Sequence, residues 1–215
     1  MPKEVQILDR PFMLNMPPVE TGGCSILLLG SGRSGKTTAL KYIIDNYFKK
    51  HIGVIFSQSA KADAYKNMKY PNLPLSSVFI PQLMNDAYHI NKETKNHYPF
   101  LFVLDDCPLV KNDKELLKLL TIYRNSGISG CVGVQSPTLL NPTCRSNFTF
   151  VCLFHNNTQE QTEQVIKGWL RGYFPKGWSY DDKCRWFNEN TKDHHFIFID
   201  NYAGTIQRCK IDLDE

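Results

Sequence analysis

The sequence predicts an α/β fold, a mainly parallel central sheet flanked by helices, with a small β-hairpin at its carboxy-terminal side. Three observations carry that prediction. Short apolar runs recur at residues 25–29, 53–57, 99–104, 131–135 and 148–155. They are apolar throughout rather than alternating, the pattern of strands covered on both faces. Helix-like stretches, such as 36–48 and 113–124, separate them, so strand and helix alternate as in crossover units. Finally, Tyr202-Ala203-Gly204 stands between two further runs, 196–200 and 205–211, as the turn of a hairpin.

The elements are justified in order from the amino terminus. Residues 1–24 hold Pro11, Pro17, Pro18 and Gly22-Gly23, which suits an extended arm leading into the first strand. Residues 25–157 form the predicted core, and 158–215 a helical and hairpin extension. A length of 215 residues, 42% of them hydrophobic and 21% charged, is enough for one well-buried domain with such appendages. The net charge of +4 is too mild to establish a nucleic-acid partner. Seven scattered cysteines, with no C-x-x-C pair, predict reduced thiols in the core and an intracellular setting rather than disulfides or zinc. The start, Met1-Pro2-Lys3-Glu4-Val5, lacks an apolar signal region, and no stretch approaches the ~20 apolar residues of a membrane span. A protein that is neither secreted nor membrane-bound is expected.

After the first run comes Gly30-Ser31-Gly32-Arg33-Ser34-Gly35-Lys36-Thr37, a complete G-x-x-x-x-G-K-[ST] loop, followed by Thr38 as a helix opens. Glycines let the backbone curl so that successive N–H groups meet phosphate oxygens, and the helix start adds a favourable dipole. Lys36 is expected to neutralise β and γ oxygens and the Thr37 hydroxyl to ligate Mg²⁺. The third run ends in Asp105-Asp106. Asp105 is the candidate for the magnesium side and Asp106 for orienting or deprotonating the attacking water. The second acid is often Glu in such ATPases, and Asp106 is one methylene shorter. Asp113 and Glu115 are the alternative bases, and a turn cap before Pro108 is the bland reading of the acidic pair.

Downstream stand Tyr123-Arg124-Asn125-Ser126-Gly127-Ile128-Ser129, a strand ending in Val134-Gln135-Ser136-Pro137, then Leu139-Leu140-Asn141-Pro142 and Arg145-Ser146-Asn147. Over about residues 20–160 this succession resembles the FtsK–HerA superfamily, specifically the poxvirus-type genome-packaging ATPases of large DNA viruses, virophages and related elements. The resemblance implies a RecA-like (ASCE) P-loop NTPase fold, with the Gln-bearing strand between the phosphate-loop and acidic strands. It implies that Gln135 senses the γ-phosphate and that Arg124, with Arg145 as its rival, reaches a neighbouring subunit's nucleotide. It further implies Mg²⁺ and ATP, double-stranded DNA, a homo-oligomeric ring of five or six subunits, and a capsid vertex or portal protein as partner. The place of action implied is host cytoplasm, viral factory or virion.

The carboxy-terminal third matches no motif. Trp169, Trp178 and Trp186 fall there with Tyr173, Phe174, Tyr180 and Phe187, interleaved with Lys167, Arg171, Lys176, Lys183 and Arg185. Such a mixture can track nucleic acid or simply pack a small subdomain. His194-His195 reads as a surface pair. Against a motor stands a small P-loop nucleoside or nucleotide kinase, which would need an Arg-rich lid and an acceptor pocket. A GTPase switch needs an Asn-Lys-x-Asp segment, and Asn91-Lys92-Glu93-Thr94 lacks the Asp; an ABC-type ATPase needs Leu-Ser-Gly-Gly, which is absent.

Overall fold

Along β1 (Ser25–Leu29) all five residues are buried. The computed structural model describes residues 7–18, 21–58, 65, 68, 73–107 and 114–211. In chain order, β1 is followed by α1 (Lys36–Tyr47), β2 (Ile52–Ser57), β3 (Leu75–Ser76), α2 (Pro81–Glu93) and β4 (Phe100–Asp105). Then come α3 (Lys114–Lys118), β5 (Ile128–Val134), α4 (Pro142–Ser146), β6 (Phe150–Leu153), α5 (Gln159–Val165), α6 (Tyr180–Asn190) and the hairpin β7 (Phe196–Asp200) and β8 (Thr205–Cys209). One eight-stranded sheet runs in the order β3-β2-β4-β5-β1-β6-β7-β8. Every pairing from β3 to β6 is parallel; β6–β7 and β7–β8 are antiparallel.

Strand residues alternate between two cores, as the two-residue period requires. Leu27 and Leu29 enter one, with Met84, Leu116, Val165 and Phe187 of the helices α2, α3, α5 and α6. Ile26 and Leu28 enter the other, with Leu40 and Ile43 of α1 and with Phe12 and Leu14 of the amino-terminal arm. Phe12 sits edge-on to Tyr47, Phe196 and Phe198. The arm also covers the β8 edge: Arg10 N–H donates to the Arg208 carbonyl, Arg208 N–H to that of Leu8, and Arg208 pairs with Asp9 at 3.0 Å.

The second hairpin strand ends at Cys209 rather than at 211, and three other elements differ more from the sequence expectation. β5 begins three residues before the apolar run, because Ser129 and Gly130 are strand residues: Cys24 N–H donates to Ser129 Oγ and Gly130 N–H to Cys24 O. β6 is shorter than 148–155, since Phe154 and His155 leave the strand for the phosphate loop. The expected helix 113–124 is not continuous. Residue 113 lies outside the described residues, α3 widens into a π turn over Leu119–Tyr123, and a 3₁₀ turn at Arg124–Ser126 follows. The Thr121 hydroxyl donates to the Leu117 carbonyl at 2.6 Å, in competition with the helical ladder.

In the carboxy-terminal third, Phe174, Trp186 and Phe187 are buried in the first core, so these aromatics pack against the main sheet. Lys183 lies over the Phe174 and Tyr180 rings, and Lys167 over Tyr180. All seven cysteines are buried, and none forms a disulfide. Among the described residues no helix is long and apolar enough to cross a membrane.

Candidate functional site

The parallel strands all point their carboxyl ends to one edge of the sheet, where open α/β sheets bind ligands. There β1 ends at Leu29 and the chain turns at once. Gly30 N–H donates to Val134 O of β5, and Ser31 N–H to His155 O beyond β6. Arg33 (φ 62°) and Gly35 (φ 98°) both take left-handed backbone, the alternation that turns successive N–H groups into an anion-binding nest. At Gly35 any side chain would be strained. α1 starts at the next residue, so its positive end faces the nest.

Within this loop Lys36 is buried, and its ammonium donates to the carbonyls of Gly30 (2.8 Å) and Ser31 (2.9 Å). Burial pulls its pKa below the usual lysine value, against the opposing charges of Asp106 and Asp105. Ser31 Oγ accepts from Asn157 N–H (2.8 Å) and bonds Gln161 (3.3 Å), so the start of α5 clamps the loop from outside. Ser34 Oγ is buried without a hydrogen-bond partner. Gly32 and Thr38 are exposed at the mouth.

From β4, Asp105 brings a buried carboxylate beside the loop, with Thr37 Oγ1 3.5 Å from its Oδ2. Burial raises the pKa of this acid; Asp106 adds to the rise, while Lys36, Thr37 and a hydrogen bond from Tyr65 oppose it. The Tyr65 hydroxyl donates to the same Oδ2 and is itself held protonated by burial and by the Asp105 charge. The other oxygen, Oδ1, has no partner and lies against Gly133 of β5, where an added Cβ would stand 2.4 Å away. Asp106 follows with φ 49° and its N–H bonded to Gly133 O, a strained conformation for a non-glycine residue.

Asp106 and Gln135 line one cavity of about 560 Å³ together with Lys36 and Thr37. β5 lies between β1 and β4, as the resemblance implied for the Gln-bearing strand, and Gln135 is exposed one residue past its end. Glu115, on α3, is occupied by Lys118 at 2.8 Å; Asp113 and Pro108 lie outside the described residues. Among the described residues there is no group of three or more His, Cys, Asp or Glu side chains able to hold a metal.

The two arginine candidates do not join this cluster. Arg124 precedes β5, whose seven residues at ~3.3 Å each put it ~23 Å from Gln135, at the opposite edge of the sheet. Its guanidinium donates to the Asn147 carbonyl at 3.0 Å. Arg145 is half-buried on α4, 5.7 Å from the Trp169 ring centre, with Nε unpartnered.

Sequence reasoning missed two contributors. Tyr65 belongs to no motif. The hairpin's open end supplies His194, Phe196, Lys210 and Ile211 to the cavity wall, and the pair His194-His195, read as a surface pair, was the local signal.

Comparison with known proteins matches residues 21–169 to the family described as Poxvirus A32 protein. Uncharacterized protein 015R of Frog virus 3 (isolate Goorha) is 28% identical over 169 residues, 72% of this chain and 51% of that protein. Uncharacterized protein L437 of Acanthamoeba polyphaga mimivirus is 21% identical over 196 residues, 82% of this chain and 66% of that one. The chain thus spans between half and two thirds of these relatives' length. Among solved structures, the genome packaging NTPase B204 of Sulfolobus turreted icosahedral virus 2, in complex with ATP-γS, superposes with a TM-score of 0.62 at 15% identity, over 86% of this chain and 96% of that one. The pCW3 conjugation coupling protein TcpA gives 0.56 at 15%, over 90% and 62%.

Proposed function

This chain belongs to the poxvirus A32 family of the FtsK–HerA type of P-loop ATPases, and from that premise we propose that it hydrolyses ATP to drive double-stranded DNA into a preformed viral capsid. The observation that carries the proposal is the meeting of three strand ends at one cavity: Lys36 and Thr37 after β1, Asp106 after β4 with Asp105 buried 3.5 Å behind the Thr37 hydroxyl, and Gln135 after β5 between them. The packaging role comes across from B204, which shares the fold.

Each residue has a part. The nest from Gly30 to Gly35, with Ser34 Oγ free to donate, cradles the phosphates, and Lys36 exchanges the Gly30 and Ser31 carbonyls for phosphate oxygens. A magnesium ion fits the donor set: one hydroxyl, one buried carboxylate and substrate phosphates, the few-ligand pattern that Mg²⁺ favours. Thr37 and Asp105 would hold it, and when bound it neutralises charge on the phosphates. Asp106 takes the proton of the attacking water, which Gln135 orients from the far wall. Arg124 stands at the far edge of the sheet from its own phosphate loop and Arg145 packs on Trp169, so either would act across a subunit contact in a homo-oligomeric ring, pentamer or hexamer. The duplex would be held by its phosphates, in the host cytoplasm or viral factory, with a capsid vertex or portal protein as the further partner.

The direct test is displacement of a third DNA strand from a long duplex. ATP-dependent displacement, lost in Lys36→Ala, is expected of a duplex translocase; no displacement with active ATP turnover would contradict it.

A further inference from the structure

Between α6 and β7 the chain makes a tight turn. His195 N–H donates to Lys192 O at 3.0 Å, closing a four-residue turn. Its central residues, Asp193 (φ 54°) and His194 (φ 62°), are both left-handed, the φ pattern of a type I′ turn. Such turns favour Asn, Asp or Gly, and a histidine in the second central position is strained. No packing rewards it, because the His194 side chain is exposed. What the turn achieves is placement. A Cβ built on Gly35 would lie 3.6 Å from His194 Nδ1, so the imidazole stands directly over the start of α1.

The same cavity wall continues into the end of the hairpin. Phe196 pairs with Cys209, so Lys210 and Ile211 leave β8 beside the turn that carries His194. Phe196 stacks on Phe154 at 4.8 Å as a closed floor, leaving Lys210 exposed and Ile211 half-buried above it. The cavity therefore has two chemistries. One end is the nest, Lys36 and Asp106. The other offers an imidazole, an ammonium and an aliphatic face, the set that suits a sugar and a base rather than further phosphate.

We propose that the carboxy-terminal hairpin is the nucleoside-binding half of the site: His194 contacts the ribose, and Lys210 with Ile211 flanks the base. This rests on the nucleotide reading of the phosphate loop and assigns the unmatched carboxy-terminal third a ligand. Strain at His194 is retained because the bound nucleotide needs that side chain there.

The test compares ADP with inorganic tripolyphosphate, which can fill only the phosphate end, by calorimetry on the full chain. His194→Gly is the informative variant, since glycine relaxes the turn. It is expected to raise the melting temperature of the free protein while weakening ADP binding about ten-fold and leaving tripolyphosphate binding unchanged. Lys210→Ala is expected to show the same split. Unchanged ADP affinity in both variants would overturn the proposal, as would an equal loss for both probes, which would make His194 a phosphate ligand. A wild-type chain that binds neither probe would instead overturn the phosphate-loop reading on which this one stands.

Discussion

At Gly133 the site depends on the absence of a side chain. The unpartnered Asp105 oxygen lies so close that a Cβ would meet it at 2.4 Å. Gly133→Ala is therefore expected to displace the carboxylate and cut ATP turnover by ~10² or more, since a shift of about 1 Å in an active site costs that much. Magnesium-free nucleotide binding should stay as it was; unaltered turnover would mean that Asp105 is not the metal-side acid. Asp106→Asn should keep ATP binding while losing ~10²–10⁴ of the rate, the share of a general base, and steady-state kinetics with a binding titration separates the two. Asp105, Asp106, Lys36 and Thr37 were legible because strand-loop-helix and strand-end acid patterns are local in sequence. Gly133 and Tyr65 were not, because each matters through a contact made across the sheet or across the fold.

His51, in the link from α1 to β2, gives an element-scale prediction. Its ring packs edge-on to Phe48 at 4.7 Å, and Nδ1 is buried without a partner. Burial holds its pKa down from 6.5 to about 4. Between those values the unfolded chain takes up a proton that the folded chain refuses. The stability involved is thus whole above pH 6.5 and is lost as pH falls toward 4. At pH 5 the loss should be about 2 kcal/mol. His51→Phe keeps the ring and should flatten this part of the pH profile in denaturant unfolding; an identical slope would place the titration elsewhere. Among the elements, uniformly apolar β1, β2 and β4 were legible from composition. β5 was legible only in its second half, because Ser129 and Gly130 are strand residues through their bonds to Cys24 rather than through hydrophobicity. The break in the helix at 119–126 was hidden for a related reason: Leu119–Tyr123 contains neither Gly nor Pro to mark it, and the competing bond comes from Thr121.

For the whole molecule, the order β4-β5-β1 places acid, glutamine and phosphate loop along one edge. Arg124 stands at the opposite edge, and Arg145 packs on Trp169 without lining the cavity. This division is what a ring with shared sites needs, since the arginine that completes a nucleotide site must then come from a neighbour. Arg124→Ala is expected to lose ~10³ or more in turnover while keeping nucleotide affinity, and mixing it with Lys36→Ala should restore part of the activity. No recovery on mixing would leave the bond from Arg124 to Asn147 as its whole role. The hairpin was legible as an element, because Tyr202-Ala203-Gly204 separates two apolar runs, but its place beside α1 was not, since the 192–195 turn that brings His194 over Gly35 carries no motif; the docking of the arm through Phe12 was hidden for the same reason. The measurement that tests the motor most directly is steady-state ATP hydrolysis by the purified protein, with and without long duplex DNA, over a range of protein concentrations. Stimulation by DNA that rises more than linearly with protein is the expected result; turnover linear in protein and indifferent to DNA would contradict a DNA motor with sites shared between subunits.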